Sequence, residues 1–139
     1  MKETLESLWL VQKKYRELLQ KMTRTQNLTI AEWALLRTIS SGVTTQQELV
    51  KTSTLDVSTL SRQLNKLIEK QMISFQKIPG TFPSKKKHSY QLTPTGQQAI
   101  AELEIKFQQF REHIFLHWSD EEENLLKILL NRLAKSLER

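Results

Sequence analysis

The chain has 139 residues, 38% hydrophobic and 26% charged, with three glycines, three prolines, no cysteine and a formal net charge of +6. One domain is the expectation at this length, collagen-like and low-complexity chains are excluded, and the lack of cysteine rules out a disulfide framework, a thiolate metal site and a thiol redox sensor. No apolar run reaches the roughly 18 residues of a membrane span, and Met1-Lys2-Glu3-Thr4 shows no signal-peptide core, so a soluble, intracellular, basic, mostly helical protein with no membrane partner is expected.

The first predicted element covers residues 5–22, where Leu5, Leu8, Trp9, Tyr15, Leu18, Leu19 and Met22 recur at helical spacing. Asn27 interrupts it. Thr29-Ile-Ala-Glu32 is a capping box that opens a second helix, with Ile30, Trp33, Leu36 and Ile39 on one face and Gly42 suited to its left-handed end. Thr45-Gln-Gln-Glu48 reads as a second box, opening a short third helix to about Thr52. Asp56 then caps a fourth helix whose apolar stripe is Val57, Leu60, Leu64, Leu67 and Ile68. Its other side shows Ser58, Thr59, Ser61, Arg62, Asn65 and Lys66, with no acid until Glu69.

Met72 to Ile78 and Ser89 to Leu92 read as two strands bracketing a basic loop that contains Pro79-Gly80 and Lys85-Lys86-Lys87. Thr93-Pro94 starts a long fifth helix along Ile100, Leu103, Phe107, Phe110 and Ile114. Ser119-Asp-Glu-Glu122 is a third capping box, opening a last helix with Leu125, Leu126, Leu129, Leu133 and Leu137. The fold class is thus mainly α with a small β-hairpin: four helices, a hairpin, two helices. The long apolar stripes of the first, fifth and sixth helices require a partner, and an intertwined dimer is one solution.

Charge is localised. Residues 58–90 hold seven basic side chains and one acid, a balance of 7 − 1 = +6, while the other residues carry 14 of each sign. A cationic element on a neutral body is the footprint of a phosphate-backbone contact surface. A short helix, a tight turn and a second helix with a polar, acid-poor face form a helix-turn-helix, and the hairpin with a basic tip is a wing. In the major groove Arg62 would bond guanine, Asn65 adenine, and Ser58, Thr59 and Ser61 either bases or phosphates. Thr45, Lys66, Lys85, Lys86 and Lys87 complete the candidate set for double-stranded DNA, with the lysines on phosphate. Simple helix capping by Ser58 and Thr59, or a merely solvated Lys loop, is the competing reading.

Four stretches carry a family resemblance: Leu28 to Leu36, Gln47-Glu-Leu-Val50, Val57 to Lys70, and Leu92-Thr-Pro-Thr-Gly96. Their order and spacing resemble those of the MarR family of bacterial winged helix-turn-helix transcriptional regulators, over essentially the whole chain. The resemblance implies a single domain over 1–139, with a DNA-binding lobe at about 29–92 and dimerisation helices at about 4–24 and 93–138. It also implies a homodimer on a pseudo-palindromic operator, a repressor released by a small aromatic or anionic effector. Trp9, Tyr15, Trp33 and Phe107 are the candidate effector-lining residues, with ordinary core packing as the alternative. Ser84 and Lys86 stand where the family often has Asp and Arg in the wing, so phosphate is the expected target of Lys86. Gln71 stands where it often has Gly, and Phe75, where it often has Arg, is expected to pack inward.

No cofactor is implied. His113 and His117 share the i, i+4 spacing of a helical chelate without an evident third ligand, a weak pointer to a metal-responsive regulator of the same fold. Gly-rich phosphate loops, His-Glu-x-x-His and a nucleophile elbow are missing, so the chain is not read as an enzyme. A winged helix used for protein–protein assembly is the remaining alternative; it would show exposed aromatics on the fourth helix, where there are none.

Overall fold

The computed structural model describes residues 1–77 and 88–139. In chain order these form α1 (Thr4–Arg24), α2 (Ile30–Ser40), α3 (Gln46–Thr52), α4 (Val57–Glu69), β1 (Ile73–Lys77), β2 (His88–Leu92), α5 (Pro94–Ile114) and α6 (Asp120–Leu137). The chain divides into two compact units, Met1–Glu104 and Ile105–Arg139, with the boundary inside α5.

In the first unit the helix boundaries follow local hydrogen-bond chemistry. The Glu3 carboxylate accepts from the backbone N–H groups of Leu5 and Glu6 and starts α1. Asn27, at φ 58°, turns the chain out of it. The Thr29–Glu32 box opens α2 as expected. At the other end of α2, Gly42 takes φ 108° while its N–H donates to Ile39 O and that of Val43 to Thr38 O, a Schellman closure that favours glycine. The box expected at Thr45 is half formed. Thr45 Oγ1 accepts from the Glu48 N–H, but the Glu48 carboxylate takes the Thr45 hydroxyl proton at 2.8 Å, a charge-assisted bond, rather than the Thr45 backbone amide.

Leu36, Leu49, Leu60, Leu64, Leu67 and Leu103 are fully buried, so α2, α3, α4 and the start of α5 share one core. Each such leucine contributes roughly 2 kcal/mol of burial. Val57 departs from the expected stripe. It is 50% exposed in the first turn of α4, while Leu60 and Leu64 are buried.

The hairpin is antiparallel, with Ile73 opposite Leu92 and Phe75 opposite Tyr90. It is joined to the helix-turn-helix by a bridge between Thr45 and Ser89 and by the Tyr90 N–H donating to Thr44 O at 2.7 Å. The α4-to-β1 turn holds Gln71 at φ 60°, a conformation that costs a non-glycine residue about 1 kcal/mol. Thr93 caps α5 by accepting from the Gly96 N–H, and its own hydroxyl donates to Gln71 O at 2.6 Å. Gly96 sits so close to that turn that a Cβ there would lie 2.0 Å from the Met72 carbonyl oxygen. This contact is the physical reason for a glycine three residues after the threonine.

The second unit is the end of α5, a turn, and α6, opened by the Ser119–Glu122 capping box. Arg111 of α5 pairs with Glu123 of α6, and the rings of Phe115 and Trp118 meet edge to face at 5.2 Å. No residue of α6 is buried; Leu125, Ile128, Leu129 and Leu130 are all exposed.

Candidate nucleic-acid interface

The outward side of α4 is organised from its N-terminus. Asp56 accepts the Thr59 backbone N–H at 2.7 Å and the Ser58 hydroxyl at 3.0 Å. The backbone bond from Thr59 first, then hydroxyl bonds and the nearby Arg62 charge, hold its carboxyl below the usual carboxylate range. Ser58 is therefore engaged by the cap, as its competing reading has it, while remaining exposed. Arg62 is exposed one turn along, with Nη2 3.4 Å from the Thr59 hydroxyl. Asn65 and Lys66 are exposed and have no hydrogen-bond or ion-pair partner among the described residues. Spacings of three and four residues put Ser58, Ser61, Arg62 and Asn65 on one face of the helix.

Ser61 is only half exposed and is tied inward. Its Oγ accepts from Gln46 Nε2 of α3 at 3.1 Å, and Gln46 Oε1 lies 3.4 Å from the hydroxyl of Tyr90 on β2. Burial raises the Tyr90 phenol above its ordinary value, so it keeps its proton. Gln46 belongs to no expectation drawn from sequence; as the residue after an N-cap it reads as one more polar helix-start residue. The hydroxyl of Thr45 is spent on Glu48, which leaves a carboxylate beside that candidate.

Lys70 does not belong to the outward surface, although it contributes to the local charge excess. Its Nζ lies 2.7 Å from Glu32 Oε1 and 2.9 Å from the Asn27 carbonyl oxygen, and the Glu32 side chain is 1% exposed. The same carboxylate oxygen also accepts the Thr29 N–H that closes the capping box of α2. A sequence signal existed in retrospect: a glutamate at the third position of a box, on the apolar side of its helix, needs a cation.

Lys85, Lys86 and Lys87, with Ser84 and the Pro79 to Pro83 stretch, lie outside the described residues. At the base of the hairpin, Phe75 does not pack inward as expected. It is 46% exposed and stacks on His88 at 5.0 Å, while Tyr90, its partner across the hairpin, is buried.

The effector candidates fall in different surroundings. Trp9 and Tyr15 are exposed on α1. Trp33 is buried on α2, with the Arg37 guanidinium 5.0 Å from its ring centre. Phe107 lies in the second unit, 6.2 Å from Phe110. A cleft of about 510 Å3 in the first unit is lined by Arg16, Gln20, Arg24, Gln63, Lys70 and the start of α2, not by these aromatics. His113 and His117 do not share a helix, since α5 ends at Ile114 and His117 sits in the following turn. No cluster of three potential metal ligands occurs among the described residues, and no described helix is long and apolar enough to cross a membrane.

A helix-turn-helix whose second helix turns an acid-poor polar face outward, with a hairpin pinned beside it, defines a winged-helix DNA-binding regulator. A sequence model of the MarR family matches residues 28–80. The Bacillus subtilis HTH-type transcriptional regulator YxaD is 31% identical over 119 residues, covering 84% of this chain and 80% of that protein. The chain belongs to the MarR family of transcription regulators. Solved structures share the fold, among them the following. Staphylococcus aureus MarR in complex with salicylate and kanamycin superposes with a TM-score of 0.82 at 19% identity, over 96% of this chain and 89% of that one. A variant of E. coli MarR complexed with operator DNA gives 0.75 at 22% identity, over 92% and 91%.

Proposed function

We propose that this chain binds a pseudo-palindromic operator as a homodimer, inserting α4 into the major groove, and acts as a repressor released by a small aromatic or anionic effector. The observation that carries the reading is the outward face of α4. Arg62, Asn65 and Lys66 stand exposed there with no acid among them, and Asn65 and Lys66 have no internal partner among the described residues. In this reading Arg62 and Asn65 address base edges, while Lys66 and Lys85 to Lys87 address phosphate. The exposed apolar residues of α1 and of α6 supply the contact between copies. The lobe at about 29–92 reads DNA, and the flanking segments at 4–24 and 93–138 set the spacing of two recognition helices. An effector that binds better to a mis-spaced dimer shifts the population away from DNA. Salicylate, present in the complex of the S. aureus relative, is a small aromatic anion, the chemistry proposed for the effector.

Selection of genomic fragments by the purified protein, followed by binding at two salt concentrations, tests the reading. The expected product is an inverted repeat with half-sites about 10 base pairs apart. Arg62→Ala then loses roughly 1–3 kcal/mol and relaxes preference at one position. Salt-sensitive binding with no enriched sequence would leave only a non-specific polyanion binder.

A further inference from the structure

The contacts around Ser61 have a direction. Gln46 is 3% exposed and Tyr90 5% exposed, so the amide between them is shielded from water and takes its partners from the protein. A phenol is a better donor and a poorer acceptor than an aliphatic hydroxyl. Of the two hydroxyls that flank the Gln46 amide, that of Tyr90 therefore gives its proton to Oε1, and Ser61 Oγ receives Nε2–H, as the 3.4 Å and 3.1 Å contacts are arranged. Once Ser61 Oγ accepts from Gln46, its own O–H needs an acceptor elsewhere. Among the described residues none is supplied. Other helical hydroxyls of this chain do bond back to their own helix: Thr38 to Ala34 O, Thr52 to Glu48 O, and Ser136 to Arg132 O.

We propose that Gln46 is a positioning residue that sets the polarity of Ser61, so that the Ser61 hydroxyl meets DNA as a donor and selects a hydrogen-bond acceptor. Phosphate oxygens and the base acceptors of the major groove (purine N7, guanine O6, thymine O4) share that chemistry; the exocyclic amines of adenine and cytosine do not. The inference rests on the proposed DNA reading and deepens it. The third member, Tyr90, stands on the wing strand, so the donor chain runs from the wing through α3 to the recognition helix.

The test uses the full-length protein and duplexes selected from a random-sequence pool, with affinity measured for single variants and pairs. Ser61→Ala is expected to weaken binding about tenfold, and Ser61→Thr, which keeps the donor, to bind within about threefold of the parent. Gln46→Glu replaces the amide donor by an acceptor. It draws the Ser61 proton inward and is expected to cost about as much as Ser61→Ala. The pair Gln46→Glu/Ser61→Ala should then bind within about twofold of Ser61→Ala alone. If Gln46→Glu does not fold, Tyr90→Phe takes its place: it frees the amide to turn, with a smaller loss that disappears in the Ser61→Ala background. Losses that multiply, to about a hundredfold for the pair, would overturn the inference, because Gln46 would then act independently of Ser61. Ser61→Ala binding like the parent would overturn it while leaving the DNA reading intact, whereas failure of the parent to bind any duplex would remove that reading as well. A Ser61→Ala loss equal on all sequences assigns the acceptor to phosphate; a loss confined to one base pair assigns it to a base.

Discussion

Helices α4 and α6 are built on the same pattern, leucines at spacings of three and four with polar residues between, and they end in opposite states. In α4 the stripe of Leu60, Leu64 and Leu67 is covered by the chain's own core, leaving the polar side to face outward. In α6 the corresponding Leu125, Ile128 and Leu129 remain exposed. The comparison teaches that an amphipathic pattern says which side needs cover but not what provides it. Function follows the uncovered side: for α4 a polar surface suited to DNA, for α6 an apolar surface suited to a second copy.

The strongest way to break this comparison is to make the apolar side of α6 unfit for a partner. Leu125→Glu with Leu129→Glu is expected to yield a monomer by sedimentation, with operator affinity lowered about a hundredfold or more as the two half-sites cease to be bound together. A variant that stays dimeric would place the seam elsewhere. Next in size, Gly96→Ala drives a Cβ toward the Met72 carbonyl and should cost about 3 kcal/mol of stability in urea unfolding. A cost below about 1 kcal/mol would mean that the turn yields there.

Lys70→Met separates the two kinds of lysine on α4 and its end. It strands the buried Glu32 carboxylate, and since Lys70 is itself partly exposed the expected loss is about 2 kcal/mol rather than the full value of a buried pair. The salt slope of DNA binding should not change, while Lys66→Ala should reduce it by about one unit. A reduced slope for Lys70→Met would put that lysine on DNA. The smallest effect sharpens the picture by stabilising: Gln71→Gly relieves the φ of 60° and should raise stability by about 1 kcal/mol. A decrease would show that the Gln71 side chain contributes more than its backbone costs.

Much of this architecture was legible in sequence because its signals are local. Thr29, Asp56, Thr93 and Ser119 each announce a helix start by a hydroxyl or carboxylate one residue ahead of it, and each was found capping. The recognition helix was legible because an acid-free polar face is a property of one segment. What sequence concealed depends on residues far apart in the chain. Lys70 counts as surface charge until Glu32, 38 positions earlier, is seen beneath it. Gln46 counts as a helix-start residue until Ser61 and Tyr90 converge on its amide. Phe75 reads as core by composition, yet it is Tyr90, its partner across the hairpin, that is buried while Phe75 stays open.

The junction at Thr93 and Gly96 has a mechanical meaning. The Thr93 N–H donates to Met72 O, the Thr93 hydroxyl donates to Gln71 O, and the missing side chain of Gly96 lets α5 lie directly against that same carbonyl. The start of α5 is thereby held against Gln71 and Met72, in the turn between α4 and β1. The seat has room for a backbone and nothing more, so the first turn of α5 works as a keyed joint that admits glycine and rejects every larger residue.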